Sequence, residues 1–190
     1  MRTLLRLEAG LNRLMDWLGV IAGLLLILLV LIVAWNVVAR YAFQASSIGL
    51  EELSWHLYSA IFLLGIPFAL RTDSHVRVDL FYERWSDKTR ALIDLIGCLI
   101  FLLPFCAVVI WAGWHFTLAS YNLGEQPGNV SEFFKAIAST GIGEQSQDPG
   151  GLLNRWIIKG VIPLAFVFLL LSSVAFFIRR LAVYLKSTQA

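Results

Sequence analysis

Long apolar segments alternate along the chain with charged or polar stretches. A helix needs roughly 18 to 20 apolar residues to cross a hydrocarbon core of roughly 30 Å. Segments that fit this requirement lie at about 17–39, 53–70, 92–121 and 157–179. The pattern therefore predicts an all-α protein, an integral membrane four-helix bundle that forms a single membrane domain over residues 1–190.

The residues before the first apolar segment follow a different pattern. Leu4, Leu7, Leu11 and Leu14 recur at steps of three and four, with charged side chains between them. This period is typical of an amphipathic helix that lies at a membrane surface. We expect such a helix over residues 1–16, ahead of the first span.

Basic residues predict the orientation of the spans. The segment 71–91 holds five of the fifteen Lys and Arg residues, and short basic loops stay in the cytoplasm during insertion. A cytoplasmic loop at 71–91 places both termini in the cytoplasm and the loop 122–156 in the periplasm. Eleven basic residues then lie inside (2, 6, 13, 71, 77, 84, 88, 90, 179, 180 and 186) and four outside (40, 135, 155 and 159).

The loop 122–156 is rich in Gly, Gln and Pro. Within it, Ser131 is a suitable N-cap for a short helix with Phe133, Phe134 and Ile137 on its apolar side, and Gly141 is a suitable terminator. We expect this helix to lie at the membrane interface or against a partner. The alternative is a mobile external loop with one transient turn.

Composition excludes several classes of protein. With 58% hydrophobic and 15% charged residues, the chain has too little polar surface for a water-soluble globule. The sequence contains neither a phosphate-binding glycine loop nor a zinc-type His or Cys motif. We therefore expect no enzyme and no cofactor.

The centres of the predicted spans carry no charged residue. A membrane protein that moves ions or acids by itself is expected to hold charged groups or broken helices near mid-membrane. The chain is therefore not expected to transport a solute unaided.

Charged groups at the predicted ends of spans one and two are candidates for a functional contact. Glu51 and Glu52 point about 100° apart on a helix, so at most one faces the bundle, and Arg40 is the natural counter-charge. The alternative is two ordinary interfacial acids beside a snorkelling arginine.

Three further features concern packing and a cofactor. Gly19 and Gly23 have the spacing of closely packed membrane helices, and Pro104 predicts a kink in the long third span. His56 and His115 fall at similar predicted depths, where two imidazoles could ligate a haem between helices. The other interpretation of these histidines is that they are wetted residues of the interface.

Several short motifs, in their order and spacing, resemble one family of membrane proteins. They are Arg40-Tyr41-x-Phe43, Glu51-Glu52-Leu53, Gly65 with Ala69, and His75-Val76-Arg77-Val78-Asp79. Over roughly residues 17–115 the chain looks like the small, DctQ-type membrane subunit of tripartite ATP-independent periplasmic (TRAP) transporters. Gln44 stands where an asparagine is common in that family.

The resemblance implies a small permease subunit in the bacterial or archaeal inner membrane. Such a subunit is a non-catalytic scaffold for a large, M-type, sodium-coupled subunit, which takes up an organic acid delivered by a periplasmic binding protein. Arg40, Glu51 and Glu52 would then pin the outer helix ends, while His75, Arg77 and Asp79 would fix the inner loop against the large subunit or lipid headgroups. The alternatives are a haem-binding or structural subunit of a redox complex, and a free-standing channel or carrier.

Overall fold

A computed structural model of the chain describes residues 2–72 and 85–189. All regular elements in these ranges are helices, in the order α1 (Arg2–Ala42), α2 (Ile48–Arg71), α3 (Asp87–Tyr121), α4 (Val130–Ala138) and α5 (Trp156–Gln189). The predicted all-α class is confirmed. Four of the helices, α1, α2, α3 and α5, are long and apolar enough to cross a membrane, as predicted.

Helix α1 runs without a break from Arg2 to Ala42. The predicted amphipathic helix at 1–16 and the predicted span at 17–39 are therefore parts of one continuous helix. Polar residues continue the helix because they pair along its surface: Asn12 Nδ2 donates to Glu8 Oε1 at 2.9 Å, one turn away. The connection to α2 is correspondingly short, at residues 43–47.

Helix α3 contains one irregular turn. Residues Cys98–Leu102 form a π turn, in which the N–H of Leu103 bonds to the carbonyl of Cys98. The turn ends two residues before Pro104, whose ring and missing N–H disturb the preceding carbonyls of a regular α-helix. The irregularity expected at Pro104 thus lies in the turn that precedes it.

The chain divides into two compact units, each built from parts of the long helices. Unit 1 comprises Met1–Val20, Leu64–Ile110 and Ala165–Ala190. Its buried residues include Met15, Leu95, Cys106 and Ala165. The hydroxyl of Ser172, also buried, donates to the carbonyl of Pro67 at 3.0 Å and so links α5 to α2.

Unit 2 comprises Ile21–Leu63 and Trp111–Leu164. Helices α3 and α5 approach closely at Gly113, where an added Cβ would lie 3.1 Å from Pro163 Cδ. The loop that joins these helices contains α4, whose N-cap is Asn129 and not the predicted Ser131. The Asn129 side chain accepts from the N–H of Glu132 at 2.9 Å, and it can do so because its own backbone is extended.

Candidate functional site

The two neighbouring glutamates at the start of α2 have different partners within unit 2. Glu51 Oε2 lies 3.6 Å from Arg40 Nη2, and both side chains are about half exposed, at 55% and 51%. An exposed ion pair of this kind contributes at most about 1 kcal/mol. The predicted counter-charge is therefore present, on Glu51, as a surface contact.

Glu52 instead holds the loop that precedes α5. Its carboxylate accepts from the hydroxyl of Ser146 at 2.5 Å and from the N–H of Leu152 at 2.7 Å. Gly151 leaves room for this contact, since a Cβ there would lie 2.9 Å from Glu52 Oε2 and closer still to Ser146. One carboxylate thus fixes the path of the chain over residues 146–152.

A second carboxylate in the same loop contacts both flanking helices. Glu144 accepts from the Ser120 hydroxyl of α3 at 2.8 Å and forms an ion pair with Lys159 of α5. The hydrogen bonds from Lys159 and Ser120 hold the pKa of the Glu144 carboxyl below its ordinary value, because both stabilise the charged form. The N–H of Glu144 also donates to the carbonyl of Ser120 at 2.8 Å, so backbone and side chain both anchor this point.

Asn154 completes the ordered loop. Its side-chain oxygen accepts from the N–H of buried Ile142 at 2.7 Å, and its amide donates to the carbonyl of Ile137 at 3.0 Å. The residue has a φ of 59°, in the left-handed region that asparagine tolerates better than most side chains. Asn154 therefore ties the end of α4 to the start of α5.

An open groove of about 510 Å³ lies between α2 and the start of α5. Its polar lining consists of His56, Ser59, Arg155 and Lys159. Its other lining residues are Tyr58, Phe62, Leu63, Ile158 and Ile162. The groove therefore combines cationic and apolar surfaces.

The two histidines considered as haem ligands have different neighbours. His56 lines this groove, whereas the ring of His115 packs edge-on against Trp111, with 4.8 Å between ring centroids. Haem ligation by the two imidazoles stays an untested hypothesis.

Unit 1 carries its own ion pairs. Asp94 Oδ2 of α3 lies 2.8 Å from Arg180 Nε of α5, and the two side chains are only 11% and 17% exposed. Asp16 of α1 pairs with Arg71 of α2. Each pair joins two long helices, and the pair formed by Asp94 and Arg180 is the more buried of the two.

The remaining candidates differ in what surrounds them. A Cβ at Gly19 would meet the ring of Phe68 at 2.7 Å, whereas a Cβ at Gly23 or Gly65 would meet nothing within 4 Å. His75, Arg77 and Asp79 lie outside the described residues, so their predicted roles stay predictions.

Sequence reasoning missed the residues that order the loop, namely Glu144, Ser146, Asn154 and Lys159. Their contacts join positions up to 94 residues apart, which no local periodicity reveals. The available signal was a polar loop with six glycines, of which Gly124, Gly141, Gly143 and Gly150 have positive φ. Such a composition is typical of a loop with a defined fold of its own as well as of a mobile one.

Comparison with known proteins agrees with the resemblance found in the sequence. Residues 29–183 match the family described as Tripartite ATP-independent periplasmic transporters, DctQ component. Over 125 residues the chain is 29% identical to the Sialic acid TRAP transporter permease protein SiaT of Haemophilus influenzae (strain 86-028NP), a match that covers 64% of this chain. The chain spans about a fifth, 19%, of that relative's length. With the family match extending over most of the sequence, the chain belongs to the DctQ component family of tripartite ATP-independent periplasmic transporters.

Proposed function

We propose that this chain is the small permease subunit of a TRAP-type secondary transporter, a non-catalytic scaffold for a large, M-type, sodium-coupled subunit. The main support for the proposal is that this chain belongs to a transporter family and yet has apolar residues at the centres of its spans. The most apolar 18-residue windows of α1, α3 and α5 have mean hydropathies of 3.0, 2.7 and 2.7. Solute and sodium would therefore bind to other parts of the assembly.

The surface of α1 supports a role in assembly. Only 11% of its most apolar window is buried within the chain. Leu24, Ile27 and Leu31, at steps of three and four, are each at least 60% exposed. A continuous apolar face of this kind suits packing against another membrane helix.

The matched relative supports two parts of the proposal: that solute transport is the function of another part of the transporter, and that the solute is an organic acid. This chain spans a fifth of a permease, so we infer that solute transport is the function of the remaining, larger part of the transporter. Sialic acid, named in that relative, is a carboxylic acid. We propose uptake of an organic acid delivered by a periplasmic binding protein.

The distribution of basic residues supports insertion in the inner membrane with both termini in the cytoplasm. Arg40, Glu51 and Glu52 then lie at the periplasmic ends of α1 and α2. His75, Arg77 and Asp79 lie in the cytoplasmic loop, where they would contact the large subunit or lipid headgroups.

Reconstitution tests the proposal. Vesicles receive this chain, the proposed large subunit, or both, together with the binding protein and an inward sodium gradient, and uptake of radiolabelled organic acid is measured. We expect uptake only when both membrane chains are present. Uptake by this chain alone, or undiminished uptake by the large subunit alone, would refute the scaffold role.

A further inference from the structure

The groove between α2 and the start of α5 changes character along its length. His56 lies eight residues after the start of α2 and Arg155 lies immediately before α5, while Leu63 and Ile162 lie seven residues further along the sequence from each. At 1.5 Å per helical residue, seven residues correspond to about 10 Å. The groove therefore begins at a polar, cationic end and continues as an apolar slot.

The cationic end has charge available for a ligand. Within the described part of the chain, Arg155, a partly buried residue, forms no ion pair within 4.0 Å. Lys159 is paired with Glu144 and lies 4.3 Å from the centroid of the Phe116 ring, contacts that hold its ammonium group in place. The carboxylates of Glu52 and Glu144 lie outside the lining, although the charge of Arg155 contributes to lowering the pKa of each. Both carboxylates already accept hydrogen bonds from other groups in the loop and in the flanking helices.

We propose that this groove binds a membrane phospholipid, with the phosphate at Arg155 and Lys159 and an acyl chain along Phe62, Leu63 and Ile162. A guanidinium donates two parallel hydrogen bonds to phosphate oxygens, and a neighbouring ammonium that is already held by Glu144 can add a further N–H donor. A free inorganic anion would make no favourable contact with the apolar slot, whereas an acyl chain would pack against its apolar side chains. The proposal goes beyond the scaffold role, because it requires only that the chain lie in a bilayer.

Native mass spectrometry of the full chain in detergent tests the proposal with three probes. They are phosphatidylglycerol, diacylglycerol with the same acyl chains, and inorganic phosphate. We expect one phosphatidylglycerol to bind at least tenfold more tightly than diacylglycerol, without displacement by millimolar phosphate. Equal binding of the two lipids would overturn the phosphate contact, and displacement by inorganic phosphate would show a free-anion site instead.

Variants locate the binding. Arg155→Gln should weaken phosphatidylglycerol binding about tenfold and leave diacylglycerol unchanged, since one charge-assisted contact of this kind is worth roughly a factor of ten or more. Lys135→Gln is the matched control, because it removes a positive charge from α4 outside the groove. Equal weakening by both variants would indicate diffuse charge attraction and overturn the proposed site.

A second variant keeps the test decisive if Arg155→Gln loses helix content by circular dichroism. Phe62 is 64% exposed, so Phe62→Asn leaves the packing of the chain largely intact while placing a polar group in the slot. We expect it also to weaken phosphatidylglycerol binding about tenfold. Unchanged affinity in a folded Phe62→Asn protein would refute the acyl-chain contact.

Discussion

The pair formed by Asp94 and Arg180 gives the sharpest stability prediction. Two opposite charges 2.8 Å apart attract by about 6 kcal/mol at an effective dielectric constant of ~20, before the cost of desolvation. Removing one partner of a buried pair typically costs about 3–5 kcal/mol, and an exposed pair contributes at most about 1 kcal/mol. With exposures of 11% and 17%, we expect Asp94→Asn or Arg180→Gln alone to lower the free energy of unfolding by about 2–4 kcal/mol.

A double-mutant cycle separates the pair from other effects. Unfolding of the purified chain is followed in mixed micelles by tryptophan fluorescence for the parent, each single variant and the double variant. We expect a coupling energy of about 2 kcal/mol, since either single variant already removes the contact between the two groups and the double variant loses it only once. Lys186→Gln is the control, because it removes a basic residue that is exposed on the same helix. Additive losses, with a coupling below about 0.5 kcal/mol, would refute the reasoning.

Three further predictions concern packing, pH and backbone strain. Gly19→Ala should lower the free energy of unfolding by about 1–3 kcal/mol in the same assay, because the added Cβ would overlap the ring of Phe68. Gly23→Ala is the control: its Cβ would lie in open space, so the free energy of unfolding should be unchanged or raised. The contribution of Glu144 to loop stability should be complete above the ordinary pKa of its carboxyl, near 4.5, and should be lost as pH falls through the lowered pKa of the folded state. Hydrogen exchange of the amides of residues 142–154, corrected for intrinsic rates, should show this as a loss of protection at low pH. Glu144→Gln should abolish that pH-dependent loss. Gln44, at a φ of 51°, lies in the left-handed region, so Gln44→Asn should raise the free energy of unfolding by ~0.5 kcal/mol, and an unchanged or lowered value would argue against strain there.

The long helices could be predicted because membrane-spanning segments are marked by the absence of charge over a known length. Their ends could not, because that rule finds the hydrocarbon core and not the end of the hydrogen-bonded helix. Helix α1 continues from the predicted amphipathic segment into the predicted span without a break, and α5 continues to Gln189, beyond residue 179. Charged and amide side chains are compatible with a helix that extends past the apolar region.

The loop contacts could be predicted only in part. Neighbouring positions on a helix diverge by about 100°, which correctly suggested separate environments for Glu51 and Glu52. The partner of Glu52 could not be found this way, because Ser146 and Leu152 follow it by 94 and 100 residues. The cap of α4 was misplaced by two residues because Ser131 and Asn129 both suit that position, and only the backbone geometry distinguishes them.

The π turn in α3 has a consequence for comparing this chain with its relatives. Cys98 and Cys106 are both buried although they are eight residues apart, a spacing that separates side chains by about 80° on a regular α-helix. A π turn contains one additional residue, so the effective spacing is seven and the two thiols share a side. In a relative whose third helix is regular throughout, the equivalent buried positions would be seven apart, and a correct alignment would place a one-residue gap at Cys98–Leu102. An ungapped alignment would instead assign lipid-facing residues of one protein to buried positions of the other for the remainder of the helix.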